Sequence, residues 1–238
     1  MPVLDTRLDT RNEAFQQNKA EMLEALDEIQ ALLDEAAKGG GPEAMARLAS
    51  RGKMPIRERI AAVLDRDSPF LEISPLAAWR SPFTIGSGFV VCVGVIEDVE
   101  CVILGHDPSV RAGAFNAFNA KKLMRGLQIA RENRMPYVQF VESAGADLRG
   151  QADGDPEAAI QREIEHFAES GRLFYEITEL SKMRIPTISL VFGASTAGGA
   201  YQPGMSDYNI FITKQSRVFL GGPPLVKMAT GEEADEES

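Results

Sequence analysis

Cysteine and histidine are scarce in this chain, with two of each among 238 residues. Cys92 and Cys101 lie in one apolar region, so a disulfide framework is not expected and buried reduced thiols are. His106 follows an apolar run, and His166 sits in a glutamate-rich polar stretch that reads as a solvated face. Neither belongs to a His- or Cys-rich ligand spacing, so no metal site is expected. Basic charge is in deficit, at 25 Lys and Arg against 35 Asp and Glu, a net charge of -10. This excludes the broad basic footprint of non-specific nucleic-acid binding but leaves room for a local basic pocket. Long hydrophobic runs are also missing. The most apolar window, Phe89–Gly105, is broken by Glu97, Asp98 and Glu100 and cannot span a bilayer. The N-terminus lacks the apolar segment of a secretory signal, and the expectation is a soluble cytoplasmic protein. Neither GxSxG nor GxxxxGK[ST] occurs, and "GASTAGG" has the wrong spacing for a dinucleotide fingerprint. No nucleophile or acid–base pair stands out.

What is present is an alternation of two hydrophobic periods in a chain with 44% hydrophobic residues. Asn12–Lys38 reads as a long charged helix with an apolar stripe of Met22, Leu26, Ile29 and Leu33, expected to pack on a neighbouring surface. The alternative is self-association. "GGGPEAMA" stops it, and Pro42 suits the first turn of the next helix. Pro55 opens a short amphipathic helix ending near Asp65, and Phe70–Ile73 reads as a sheet edge. Gly88–Asp107 reads as a β-hairpin turning at "EDVE". Ala114–Arg134 has helical spacing and Pro136 ends it, "YVQFVES" is a strand, Glu157–Met183 is helical and Pro186–Phe192 is another strand. Ser206–Thr213 and Arg217–Leu220 are shorter strands. Strands alternating with helices predict an α/β domain with both sheet faces covered.

Two strands end in small residues, at "FVESAGADL" (Phe140–Leu148) and at "VFGASTAGGAY" (Val191–Tyr201). Such a turn lets a ligand approach bare backbone N–H groups. Two of them aimed at one oxygen form an oxyanion hole, where each donor contributes about 3–4 kcal/mol. The competing explanation is that the glycines and alanines only allow helices and strands to pack closely.

The segments "RGKMPIRERIAAVLDRDSPFLEI", "GHDPSVRAGAFNAFNAKKLMRGLQIARENRMP", "ESAGADLRGQAD", "GRLFYEIT" and "TAGGAYQPGMSDYNIFITKQSRVFLGGPPLVKMATGEE" together resemble the N-terminal carboxyltransferase domain of biotin-dependent acyl-CoA carboxylases. They are most similar to β subunits of the methylcrotonyl-CoA and geranyl-CoA carboxylase type. The resemblance implies a crotonase-like (ClpP/crotonase) β-β-α superhelix in one domain, residues 51–231, after an N-terminal helical extension over 1–50 and before an acidic tail over 232–238. It also implies acyl-CoA as substrate, biotin carried on a partner subunit, and homo-oligomerisation. A biotin carboxylase or biotin carrier subunit would be a partner, and a C-terminal carboxyltransferase domain of the same or another chain would complete the site.

By the same resemblance, the amides of Gly198 and Gly199 face the thioester or enolate oxygen, with Ala144 and Gly145 contributing from the facing loop. CoA and its acyl chain would pass Arg111, Ala112, Gly113, Ser143, Ala146, Asp147, Ala200 and Tyr201, with Lys121 or Lys122 as phosphate partners. The sequence departs from the family pattern in three places: Ala144 replaces a glycine, Asp147 stands where relatives carry Asn or Arg, and Pro156–Ser170 looks longer than usual, as if adding a helix over the pocket. The family's second domain would lie beyond "GEEADEES", so the chain is expected to hold the acyl-CoA half of a site. Two other readings stay open: a stand-alone crotonase-fold CoA hydratase or decarboxylase, for which Glu142 and Asp147 flank the proposed hole although Glu142 reads as a strand-end residue, and a non-catalytic assembly module.

Overall fold

The computed structural model describes residues 6, 8–147, 171–233 and 235. The expected helix over Pro156–Ser170 and His166 lie outside them. Helix α1 (Glu13–Ala37) starts where the Asn12 side chain accepts the Ala14 N–H at 2.8 Å. Among the described residues most of its apolar stripe does not find the expected neighbour, and only Leu33 is half-buried. Met22, Leu23, Leu26 and Ile29 are all exposed, and Ala36 alone is buried, because only the last turn reaches the body of the domain. Helix α2 (Pro42–Ser50) has its proline in the first turn, and α3 (Ile56–Val63) follows Pro55.

Strand β1 (Leu71–Glu72) lines the edge of β2 (Phe89–Ile96), which pairs antiparallel with β3 (Val99–His106). The hairpin loop is two residues, Glu97 and Asp98, both left-handed at φ 50° and 63°. Asp65 steadies it by accepting both their N–H groups at 2.9 and 2.8 Å. Helix α4 (Ala117–Asn133) begins with a reciprocal cap in which Asn116 and Asn119 serve each other's backbone. Strand β4 (Tyr137–Ser143) then runs parallel to β3, and a helix α5 over residues 171–182 precedes β5 (Thr187–Thr196), parallel to β4.

Strands β2 to β4 are apolar almost throughout because both faces are covered. Phe89, Val91, Val102, Leu104 and Tyr137 pack against Leu123, Leu127 and Ala130 of α4 and Leu173, Ile177 and Leu180 of α5. The alternate residues Val90, Cys92, Cys101, Ile103 and Phe140 face Ile56 and Ile60 of α3. Both cysteines are free and buried, and burial lifts the Cys92 thiol to about 12.

Strand β5 corrects the sequence reading, which ended it at Phe192. It continues through the small residues to Thr196 because two partners satisfy its backbone there. Ser143 pairs with Ser195, and β7 (Arg217–Phe219) pairs with Ala194–Thr196. Beyond it lie a 3₁₀ turn (Ala197–Gly199), the short α6 (Tyr201–Gly204), β6 (Tyr208–Phe211) beside the first half of β5, and α7 (Pro223–Thr230). Helix α7 was missed in the sequence although its punctuation is there, with proline in the first turn and a left-handed Gly231 after the last. Among the described residues no helix is long and apolar enough to cross a membrane.

Candidate active site

Three chain segments leave the same end of the sheet. After β3 comes a 3₁₀ turn (Arg111–Gly113), after β4 the loop over residues 144–147, and after β5 the turn Ala197–Gly199. They are hydrogen-bonded and packed to one another. Ala144 N–H donates to Ala112 O at 3.0 Å, and Phe115 N–H to Gly145 O at 2.8 Å. Gly145, at φ 88°, sits against Ala197, where a Cβ would meet Thr196 O at 3.2 Å. A Cβ on Gly113 would overlap the Glu142 carbonyl oxygen.

This geometry sorts the eight small residues expected at the site. Ala144 is not among the positive-φ residues, so it fits the loop without strain. Its N–H, however, is committed to Ala112 O, and the Gly145 N–H donates to Ser143 Oγ at 3.1 Å. Neither is therefore the bare donor anticipated. Ala146 is. It bridges Phe115 in parallel register, with Asp147 N–H donating to Phe115 O at 2.8 Å. In a parallel bridge the hydrogen bonds run to the residues that flank the bridged one, so the Ala146 N–H points away from Phe115. Ala146 is exposed, and its N–H has no partner among the described residues.

Across from it, the two glycines differ. Gly199 is buried, its carbonyl accepts Ser195 Oγ–H at 2.7 Å, and a Cβ there would stand 2.8 Å from Ser143 Cβ. Gly199 is a packing glycine. Gly198 is half-buried, and a Cβ there would meet nothing within 4 Å. Of the remaining two, Ala200 is buried, and Ala112 serves through its carbonyl. Tyr201 is exposed, its ring 4.7 Å from that of Phe174.

The charged candidates also rearrange. Arg111 donates to Asp147 Oδ2 at 2.7 Å, and the Asp147 side chain is only 2% exposed. These two residues clamp the first turn to the central loop. Lys122 is no phosphate partner. It is buried, donates to Phe89 O at 2.8 Å and lies 3.6 Å from Glu72. Burial lowers its pKa to about 8. Lys121 is exposed on the same helix.

Sequence reasoning missed a cleft of about 340 Å³ beside the loops, reaching from α2 across Ala112 and Ala144 to Ala194. Arg47, Arg51, Lys53 and Arg217 line it, against one carboxylate, Glu142. Arg47 and Arg51 are exposed and have no carboxylate partner among the described residues. The signal was present as three cations within "RLASRGK", a basic island in an acidic chain, but Arg217 joins them only through β7. Glu142 itself, which read as an ordinary strand end, is ion-paired to Lys53 and, at 3.2 Å, to the buried Arg59. Among the described residues no group of three or more His, Cys, Asp or Glu side chains could hold a metal.

Comparison with known proteins gives this geometry a setting. The chain is 49% identical over 236 residues to a probable biotin-dependent acyl-coenzyme A carboxylase beta2 subunit of Mycobacterium tuberculosis, covering 99% of this chain and 42% of that protein. It is 40% identical over 238 residues to a probable mitochondrial methylcrotonoyl-CoA carboxylase beta chain of Drosophila melanogaster, covering 99% and 40% respectively. Among solved structures, the beta subunit of P. aeruginosa geranyl-CoA carboxylase superposes with a TM-score of 0.82 at 36% identity, over 99% of this chain and 42% of that one. The likeness bears out the crotonase-like α/β fold. The chain thus spans about two fifths of the length of these relatives. Residues 47–238 match the carboxyl transferase domain, and the chain belongs to that family as a homologue of acyl-CoA carboxylase beta subunits.

Proposed function

We propose that this chain supplies the acyl-CoA half of a carboxyltransferase site, and that a second, homologous domain on this or another chain completes it. The observation that carries the reading is the basic cleft opening beside Ala112 and Ala144, in a chain that is acidic overall. Arg47, Arg51, Lys53 and Arg217 offer charge-assisted hydrogen bonds to the phosphates of CoA. The thioester then lies toward the loops, where its oxygen accepts the N–H groups of Ala146 and Gly198. As a proton leaves the α or vinylogous γ carbon, negative charge builds on that oxygen, and each amide stabilises it by about 3–4 kcal/mol.

Carboxybiotin, carried on a partner subunit, supplies the CO2 and the proton-accepting nitrogen when it is bound. The residues of this chain fit such a division of labour. Two carboxylates that flank the central loop, Glu142 and Asp147, are held in ion pairs with Lys53, Arg59 and Arg111. A hydratase needs a carboxylate directed at the acyl β-carbon, so this pairing argues against the stand-alone hydratase. Exposed apolar residues on the outer strand β6, Ile210 and Phe211, offer a surface to the completing domain.

The test is calorimetric titration of the chain with acetyl-, propionyl- and 3-methylcrotonyl-CoA, with free biotin as control. Binding of CoA esters without biotin is expected, with carboxylation only after the completing domain and a biotin carrier are added. Turnover of crotonyl-CoA to the hydrated product by this chain alone would overturn the reading. Co-purification with a biotinylated subunit, without CoA-ester binding or any change in activity, would favour the assembly module.

A further inference from the structure

Strands β4 and β5 run in step from Tyr137 opposite Thr187 to Val141 opposite Val191, but the next pair is Ser143 opposite Ser195. Glu142 alone therefore faces Phe192, Gly193 and Ala194. Extra residues on one strand of a pair bend it and re-aim the chain beyond them. In β5 that chain is the turn Ala197–Gly199. The bulge is filled from the β4 side. A Cβ on Gly193 would stand 2.7 Å from the Glu142 carboxyl, so the missing side chain is the space the carboxylate occupies. That carboxylate is anchored by Lys53 and by Arg59. Arg59 is 6% exposed, and its guanidinium lies 4.4 Å from the centre of the Phe192 ring, so it grips both sides of the irregularity.

We propose that Glu142 is a positioning residue: anchored by Lys53 and Arg59 from the N-terminal segment, it holds the β5 bulge and thereby aims the Gly198 amide toward Ala146. The inference rests on the reading of those amides as thioester donors. Glu142 is not a catalytic residue, since its oxygens are spent on the two cations. It makes the acyl-recognition turn depend on Lys53 and on α3, which lie far from it in sequence.

The experiment uses the 238-residue chain with two variants, Glu142→Gln and the double variant Glu142→Gln/Arg59→Met. The double variant removes the cation that the single one would leave buried and unpaired, and neutral replacement of a buried ion pair is tolerated. Hydrogen exchange is followed in residues 192–200 and in the hairpin 89–106. Affinities are measured for CoA and for 3-methylcrotonyl-CoA. In both variants, exchange in 192–200 should accelerate about tenfold while the hairpin is unchanged. The preference for ester over CoA should fall about tenfold. CoA affinity itself should hold or rise in Glu142→Gln, because Lys53 loses its counter-ion in the cleft. Unchanged exchange in 192–200 would overturn the proposal. So would acceleration spread evenly over the sheet, which would make Glu142 a general stabiliser. If the unaltered chain bound no CoA, the functional reading would fail, and the exchange measurement would still decide the role of Glu142.

Discussion

Adjacent glycines Gly198 and Gly199 should respond oppositely to substitution, and the contrast separates packing from ligand recognition. A methyl group on Gly199 would lie 2.8 Å from Ser143 Cβ and 3.0 Å from Ser143 Oγ. Ordinary contact begins near 3.4 Å, so either the turn or β4 must shift. Overpacking of this kind costs about 1–3 kcal/mol. In a domain of this size that lowers Tm by roughly 2–12 °C. At Gly198 an added Cβ meets nothing within 4 Å, and φ is not in the left-handed region. Gly198→Val should therefore leave Tm within about 2 °C, since surface changes without steric conflict stay near ±0.5 kcal/mol. The branched side chain would instead occupy the space in front of the amides and weaken 3-methylcrotonyl-CoA binding about tenfold or more, a loss of at least ~1.4 kcal/mol. The assay is a thermal melt paired with titration by CoA and by the ester for Gly198→Val and Gly199→Ala. A large Tm loss in Gly198→Val with unchanged ester affinity would refute both the packing assignment and the placement of the thioester.

His106 makes stability depend on pH. Its ring stacks on Phe89 at 4.3 Å and meets Phe115 edge-on at 5.5 Å, and neither ring nitrogen has a side-chain hydrogen-bond partner among the described residues. Burial drives its pKa from 6.5 to about 3, against a smaller upward pull from the Glu142 backbone. The folded state therefore binds fewer protons than the unfolded one between those values, and stability is lost as pH falls from 6.5 toward 3. The slope is about 1.4 kcal/mol per pH unit, so roughly 2 kcal/mol disappears by about pH 5. Urea unfolding at about pH 7 and about pH 5 should show His106→Phe gaining that amount relative to the unaltered chain, and parallel losses would show that the ring charges in place. In the basic cleft, Arg47→Ala and Arg51→Ala should each weaken CoA binding several-fold at low salt, with the effect shrinking as ionic strength rises. Equal affinities in all three proteins would move the phosphates elsewhere.

Much of the framework was legible in the sequence for local reasons. The Val- and Ile-rich runs at Phe89–His106 and Tyr137–Ser143 are strands because both sheet faces are covered, so their apolar character needs no alternation. Pro42, Pro55 and Pro136 marked element boundaries because proline restricts the backbone locally. The candidate site was legible as two small-residue turns after buried strands, read as an oxyanion hole, to which the family resemblance added acyl-CoA as an expected ligand. The sequence could not say which amides are bare, since that depends on partners far along the chain. Ala144 loses its N–H to Ala112, whereas Ala146 keeps its own because Phe115 pairs with its neighbours.

The same distinction separates the two glycines and explains the missed residues. Gly198 and Gly199 are indistinguishable as letters, and only the closeness of Ser143 makes one a packing residue. Glu142 looked like a strand end until folding brought Lys53 and Arg59 to its carboxylate. Lys122 looked like its exposed neighbour Lys121 until α4 turned it under β2, against Phe89 and Glu72. Sequence alone determined most of the strands, the starts of the first three helices and the small-residue turns, because period, proline and side-chain size act over a few residues. Tertiary structure decided which amides are unpaired, which charges are paired and where the basic cleft lies. Hydrogen bonds and ion pairs are made between groups that only folding brings within about 3 Å.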